Sequence, residues 1–222
     1  MRMNLSDREK QLEDARKRMV KIQLAGRGIR NSRVLAAMSE IPRHIFVSKS
    51  LENRAYDDNP LSIGFGQTIS QPYMVAIMTE LLELEGRERV LEIGTGCGYQ
   101  TAILMRLCRK VFTIERVEAL SIEAQKNISG LEMNNVCFKV GDGTLGWNQE
   151  APFDCILVTA GCPVVPETLV EQLSDNGRLV IPVGDRFSQT LKRLTKNKEK
   201  LKTENFTACR FVDLIGQYGW PD

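Results

Sequence analysis

Val90-Leu91-Glu92-Ile93-Gly94-Thr95-Gly96-Cys97-Gly98-Tyr99 is the stretch that decides the fold. An apolar run ending in three alternating glycines reads as a strand that turns sharply into a helix. Glycine permits the tight turn and lets a ligand come close to the main chain. The pattern is GxGxG, and position 99 is tyrosine, so the dinucleotide fingerprint GxGxxG is incomplete. Charge separates the ligand classes. A pyrophosphate is anionic and suits a helix N-terminus, whereas Glu92 stands two residues before the first glycine and would repel it. The acid suits a cationic ligand, and S-adenosylmethionine carries a sulfonium and an ammonium. Glu92, Gly94, Thr95, Gly96, Cys97 and Gly98 are therefore candidate cofactor-binding residues. The alternative is a turn with a purely structural role.

Downstream of this turn, strands are expected at 89–93, 111–115, 136–140, 154–159 and 178–183, with helices at 98–108, 117–129 and 166–174. That alternation predicts a mostly parallel sheet covered by helices on both faces. Residues 188–216 read as an antiparallel hairpin at the sheet edge. Its basic residues, Lys192, Arg193, Lys196, Lys198, Lys200 and Lys202, suit a nucleic-acid patch or, more simply, an edge protected against pairing. Glu115 closes the second strand, 21 residues after Gly94, where an acid can accept both ribose hydroxyls of a nucleoside. Asp142 and Gly143 follow the third strand. Asp142 is placed to accept from an adenine amino group, although Asp-Gly is also a common turn.

Upstream, the chain is helical and loop-rich, and its character changes near Glu85. Ser6-Asp7-Arg8-Glu9 reads as a capping box. Leu5, Leu12, Ala15, Met19 and Ile22 follow at helical spacing, and Gly26 and Gly28 end the run. A short helix fits Ser32 to Glu40, stopped by Pro42. Residues 57–71, holding Pro60, Gly64 and Gly66, read as a long loop. A helix over 72–84 carries Met74, Val75, Met78, Leu81 and Leu82 on one face. The chain thus divides into 1–84, a helical and substrate-loop region, and 85–222, an α/β cofactor-binding core, expected as one compact unit.

Composition bounds the function. With 30 basic and 28 acidic side chains, the net charge of +2 draws the chain to neither nucleic acid nor membrane. Six cysteines without a CxxC pair, and one histidine, His44, argue against a zinc site, so no metal is expected. Met1 to Met19 lacks the apolar region of a signal peptide, and no apolar run approaches the roughly 20 residues of a membrane helix. A cytoplasmic protein with reduced thiols is expected.

Segments spanning most of the chain resemble the protein-L-isoaspartate O-methyltransferase family: IPRHIFV (41–47), PLSIGFGQTISQPYMVA (60–76), VLEIGTGCGYQTA (90–102), IERV (114–117), VGDGTLGW (140–147), APFDCILVTAGCPVVPETLVEQL (151–173) and GRLVIPVG (177–184). The resemblance implies a Rossmann-like, seven-stranded, mostly parallel methyltransferase sheet with an N-terminal helical layer. It implies methyl transfer from S-adenosyl-L-methionine, leaving S-adenosyl-L-homocysteine, to the abnormal carboxylate of L-isoaspartyl residues in aged proteins and peptides. The ester then collapses to a succinimide whose hydrolysis regenerates some aspartate. Ser70 matches the family's active-site serine, Thr68 and Ile69 its substrate-binding neighbours, and Val212 and Leu214 the strand closing the other side. Ser70 also stands where an N-cap belongs. Three departures stand out: Cys97 for a usual serine, Gly161-Cys162 for an alanine-rich pair, and Asp213 for a frequent proline. Other readings are a nucleic-acid or small-molecule methyltransferase, with Cys162 as a nucleophile, or a silent isoaspartyl-peptide adaptor. A monomer is expected, with protein substrates and neither nucleic acid nor membrane as a partner.

Overall fold

A computed structural model describes residues 5–198 and 200–222, with side chains from Asp7 onward. The chain alternates from Arg89 as its hydrophobic pattern demands. β3 (Arg89–Ile93), α4 (Tyr99–Leu107), β4 (Lys110–Glu115), α5 (Glu118–Ser129), β5 (Val136–Val140), β6 (Phe153–Val158) and α6 (Glu167–Glu171) lead to β7 (Leu173–Gly184), β8 (Gln189–Asn197) and β9 (Lys200–Cys209). The seven strands lie in the order β5-β4-β3-β6-β7-β8-β9. Pairing is parallel from β5 through β7 and antiparallel for β7–β8 and β8–β9. After β5 the chain returns to the other side of β3 and lays down β6. Strand order reverses there, which is where open α/β sheets bind ligands.

Strand alternation builds two cores. Val90, Val111, Cys155 and Leu157 face one way, into a cluster with Met19, Leu24, Met38, Met78, Tyr99 and Leu104. Leu91, Ile93, Phe112, Ile114, Ile156 and Val158 face the other way. The first cluster joins residues on both sides of the 84/85 boundary, so the N-terminal helices share a core with the sheet.

That layer consists of α1 (Leu5–Arg18), α2 (Ser32–Glu40) and α3 (Pro72–Leu81). The side chains of Leu5 and Ser6, on which the capping box rests, lie outside the described residues. α1 continues as a π-helix over Met19–Leu24. The wider turn breaks the 3.6 phase: Met19 and Leu24 are buried, while Ile22, expected on the same face, is 59% exposed. All five apolar residues expected inward on α3 are buried.

Two expectations change. Residues 57–71 are not simply a loop: β1 (Leu61–Gly64) and β2 (Gln67–Ile69) pair as an antiparallel hairpin. Its tip, Gly64-Phe65-Gly66, lies wholly at positive φ, the requirement of a tight hairpin turn. The strand expected at 178–183 begins at Leu173, with an irregularity at Asn176-Gly177 inside it, and α6 is shorter than the helix expected at 166–174.

The edge hairpin stands as expected, but its cations are partly committed. Arg193 pairs with Glu83 at 2.7 Å and Glu204 at 2.9 Å. Lys196 donates to the carbonyls of Val170, Glu171 and Leu173 at the end of α6.

Candidate active site

A cleft enclosing about 860 Å³ of free space, open to solvent, lies at the carboxyl ends of β3, β4 and β6. Its floor is Ile93 to Cys97 after β3, Glu115 to Val117 after β4, Gly143 after β5, and Thr159 and Ala160 after β6. Gln67 to Ser70 form one wall and Val212 to Ile215 the other. Thr68, Ile69, Ser70, Val212 and Leu214 are thus brought together with the glycine turn, although some 140 residues separate the two walls.

Glu115 is the acid on the floor of this cleft. One carboxylate oxygen accepts the Gly96 N–H at 2.8 Å and the other the Val117 N–H at 2.9 Å. The same side chain therefore shapes the turn and borders the cavity. Gly96 has φ +54°, and a Cβ there would meet only the Ile63 side chain at 3.4 Å, so its outer face is free for a ligand. Thr95 lines the cleft and bonds the Thr113 hydroxyl at 2.7 Å.

Glu92 is a correction. Its alternation on β3 turns it away from the strand end, into the layer beneath α4, where it is fully buried and does not border the cleft. One oxygen accepts from Thr101 at 2.5 Å and Thr113 at 2.6 Å, and the other has no partner. Burial pushes its pKa up to about 8. A carboxyl largely neutral at pH 7 cannot supply the charge expected for a cationic ligand. Thr113 has one hydroxyl proton and gives it to Glu92, so Thr95 donates to Thr113. Glu92 thus anchors the turn from behind.

Gly98 is a second correction. It borders α5 rather than the cleft: a Cβ there would come within 3.0 Å of Ile128 and 3.2 Å of Ala124. At φ +92° it is the left-handed N-cap of α4. Asp142 stands next to Gly143 and does not itself line the cleft. Its carboxylate accepts from the Thr144 N–H and hydroxyl and from the Gln217 N–H, tying the C-terminal segment to this corner.

Ser70 is not an N-cap. That position belongs to Gln71, which makes no capping bond. Ser70 is half-buried and borders the cleft, and its main-chain carbonyl is held by a hydrogen bond from Arg43. Opposite, the Gly161 N–H donates to the Val212 carbonyl, and the Leu214 N–H donates to the Gly161 carbonyl, both at 2.8 Å. Asp213 borders the cleft and pairs with Arg186 at 2.9 Å.

Both thiols singled out by the sequence are buried. Cys97 lines the cleft, but burial pushes its pKa up to about 11, overriding the helix N-terminus that favours a thiolate. Cys162 is fully buried with a pKa pushed up to about 12, which suits a core thiol and not a nucleophile. Cys97→Ser is therefore expected to keep most of the activity, and iodoacetamide at pH 8 should leave native Cys97 unmodified over minutes. Rapid alkylation of Cys97, read by mass spectrometry, would contradict this picture. His44 bonds the Tyr56 hydroxyl at 2.7 Å and does not border the cleft. Among the described residues no cluster of side chains suits a metal ion.

Sequence reasoning missed Thr159 and Gln67. Thr159 donates to the Gly94 carbonyl at 2.8 Å and also lies 3.0 Å from that of Ile93. Its place just after β6 was the available signal, since ligands gather at strand carboxyl ends.

The model of the family described as Protein-L-isoaspartate(D-aspartate) O-methyltransferase matches residues 14–219. A protein-L-isoaspartate O-methyltransferase of Geobacter metallireducens is 56% identical over 207 residues, covering 93% of this chain and 96% of that relative. One from Trichlorobacter lovleyi is 58% identical over 207 residues, covering 93% and 95%. A solved protein-L-isoaspartate O-methyltransferase superposes with a TM-score of 0.83 at 32% identity, over 92% of this chain and 67% of that one. A Plasmodium falciparum structure with the same description, in complex with S-adenosyl-L-homocysteine, gives 0.78 at 26% identity, over 90% and 98%.

Proposed function

The chain belongs to the protein-L-isoaspartate(D-aspartate) O-methyltransferase family, and from that premise we propose how its residues divide the work. It is an S-adenosylmethionine-dependent enzyme that methylates the free carboxylate of L-isoaspartyl residues in damaged proteins. The cleft suits that cofactor. It has a glycine turn with one open face and an acid where ribose hydroxyls are received.

Glu115 accepts the ribose hydroxyls, and Gly96, Thr95 and Cys97 give the main chain against which the cofactor lies. Gly143 borders the adenine end. A carboxylate has about four acceptor positions, and Asp142 uses three, leaving one for an adenine amino group. When bound, the cofactor supplies an electrophilic methyl group on its sulfonium. The chain's own task is then positioning. An isoaspartyl carboxylate has a pKa roughly that of a chain terminus, about 3.3–3.7, and is ionised at pH 7. It needs no general base, in keeping with a cleft that holds no histidine. The Ser70 hydroxyl donates to that carboxylate and orients it. Main-chain groups of Thr68 and Ile69 read the peptide's path, and Val212 and Leu214 close the far side and exclude water.

The observation that carries this reading is that the 67–70 and 212–215 walls flank a single cleft floored by the glycine turn and Glu115. The test is transfer of a radiolabelled methyl group to matched isoaspartyl and aspartyl peptides. Equal labelling of both would overturn the specificity. Ser70→Ala should lower kcat on the isoaspartyl peptide about tenfold, one hydrogen bond's worth, with cofactor affinity unchanged. A fully active variant would remove Ser70 from the mechanism.

The six unbonded cysteines suit a reducing cytoplasm. No described helix is long and apolar enough to cross a membrane. Protein rather than nucleic acid is the acceptor: Arg193 and Lys196, two cations of the basic edge hairpin, are engaged within the fold.

A further inference from the structure

Arg43 is among the largest fully buried side chains and lies outside the machinery described so far. It opens a short 3₁₀ turn, Arg43–Phe46. Its Nε donates to the Ala55 carbonyl at 2.8 Å, and Nη2 donates to the Ser70 carbonyl at 2.7 Å. The guanidinium sits 4.9 Å from the centre of the Tyr99 ring, and Tyr99 itself borders the cleft. Its remaining terminal nitrogen, Nη1, has no partner, and no carboxylate among the described residues pairs with it.

Burying a guanidinium without a counter-ion is costly, and filling this volume needs no charge. What the guanidinium offers is a planar fork whose donors keep a fixed separation. The two carbonyls it grips bracket the segment 55–70, and the β1–β2 hairpin lies between them. One side chain therefore closes the base of the excursion that builds the substrate wall. Its second grip falls on Ser70 itself. The carbonyl of that residue is held by Arg43, and the same residue borders the cleft. Without that grip the end of the excursion at Ser70 is free to shift, and with it the Cα that carries the hydroxyl.

We propose that Arg43 is a positioning residue for methyl transfer, which fixes the Ser70 hydroxyl in the cleft by pinning the Ser70 carbonyl to that of Ala55. The proposal rests on the reading of Ser70 as the residue that orients the substrate carboxylate. Lysine at 43 keeps the charge and a long stem but replaces the planar fork, which fixes the separation of the two carbonyls, by a single nitrogen that does not.

The test is a double-mutant cycle of Arg43→Lys and Ser70→Ala, with kcat and KM on an isoaspartyl peptide, cofactor affinity by titration and thermal melting for each protein. Arg43→Lys is expected to lower kcat about tenfold, with cofactor affinity within about threefold of the parent. Because both residues act through one hydroxyl, the double variant should be no more than about threefold slower than the slower single variant. Losses that multiply to about a hundredfold would place the action of Arg43 elsewhere and overturn the proposal. An Arg43→Lys enzyme with parental kcat would also overturn it, while a slow Ser70→Ala enzyme would leave the Ser70 reading standing. A fully active Ser70→Ala enzyme would remove that reading and this proposal with it. Should Arg43→Lys fail to fold, Arg43→Gln, which also loses the fork, carries the same expectations.

Discussion

Glu115→Gln is expected to weaken S-adenosylmethionine binding at least about a hundredfold, nearly as much as Glu115→Ala. Isosteric replacement of a carboxylate by an amide is usually mild, so the expectation needs its reason. Both carboxylate oxygens of Glu115 already accept main-chain N–H groups, Gly96 on one side and Val117 on the other. An amide has one oxygen and one NH₂, so whichever way it turns, a donor meets a donor. The turn loses one anchor. The ribose hydroxyls meanwhile lose a charged acceptor, each such bond being worth roughly 1.5–3 kcal/mol. Two losses of that size correspond to a factor of about a hundred or more in Kd. Isothermal titration of parent, Glu115→Gln and Glu115→Ala decides it. A Glu115→Gln protein with unchanged affinity would refute the ribose assignment. One that binds far better than the alanine variant would show that the two N–H grips are dispensable.

Glu115 also marks how far a sequence can be read. Its place at a strand end, downstream of a glycine turn, made it a ligand candidate, and it does border the cleft. Spacing along the chain located it because both features belong to one βαβ unit, where local geometry is stereotyped. Glu92 was misassigned for an equally local reason. Adjacency to the turn in sequence is not adjacency to the ligand, because a strand sends neighbouring residues to opposite faces. Ile93 points to the second core and Glu92 to the first. Gly98 was legible as a glycine that the turn requires. That it is required by Ile128 and Ala124, about 30 residues away, depends on how α5 packs and has no signature in the motif. The β1–β2 hairpin was hidden because its strands are four and three residues long and joined through Phe65, an unusual residue for positive φ. The buried grip of Arg43 was beyond reach for a related reason. An arginine beside a proline in a helical region reads as a surface cation, and only the three-dimensional closure of 55–70 turns it inward.

The reassignment of Glu92 from ligand to buried anchor predicts a pH-dependent stability. Burial raises its pKa to about 8 in the folded protein, against an ordinary value of 4.5. Below pH 4.5 the carboxyl is protonated in both states and contributes no difference. Between pH 4.5 and about 8 the folded protein keeps the proton while the unfolded chain releases it, so stability falls as pH rises. Above about pH 8 both states are ionised and the loss is complete, on the order of 3–5 kcal/mol. Glu92→Gln resembles the protonated form: its amide oxygen can accept from Thr101 and Thr113, and its NH₂ takes the place of the oxygen that has no partner. The variant should match the parent near pH 5 and melt higher at pH 9, by roughly 10 °C at this chain length. Its cofactor affinity at pH 7 should stay within a few-fold of the parent, in contrast to Glu115→Gln, because it keeps the Thr113 link that steadies Thr95 without touching the cleft. Glu92→Ala strands the two threonine hydroxyls and should destabilise at every pH. Melting curves of parent and Glu92→Gln from pH 5 to 9 read the difference directly. A constant offset across that range would mean Glu92 is ionised in the fold throughout, and a hundredfold loss of cofactor binding would return it to the list of ligands.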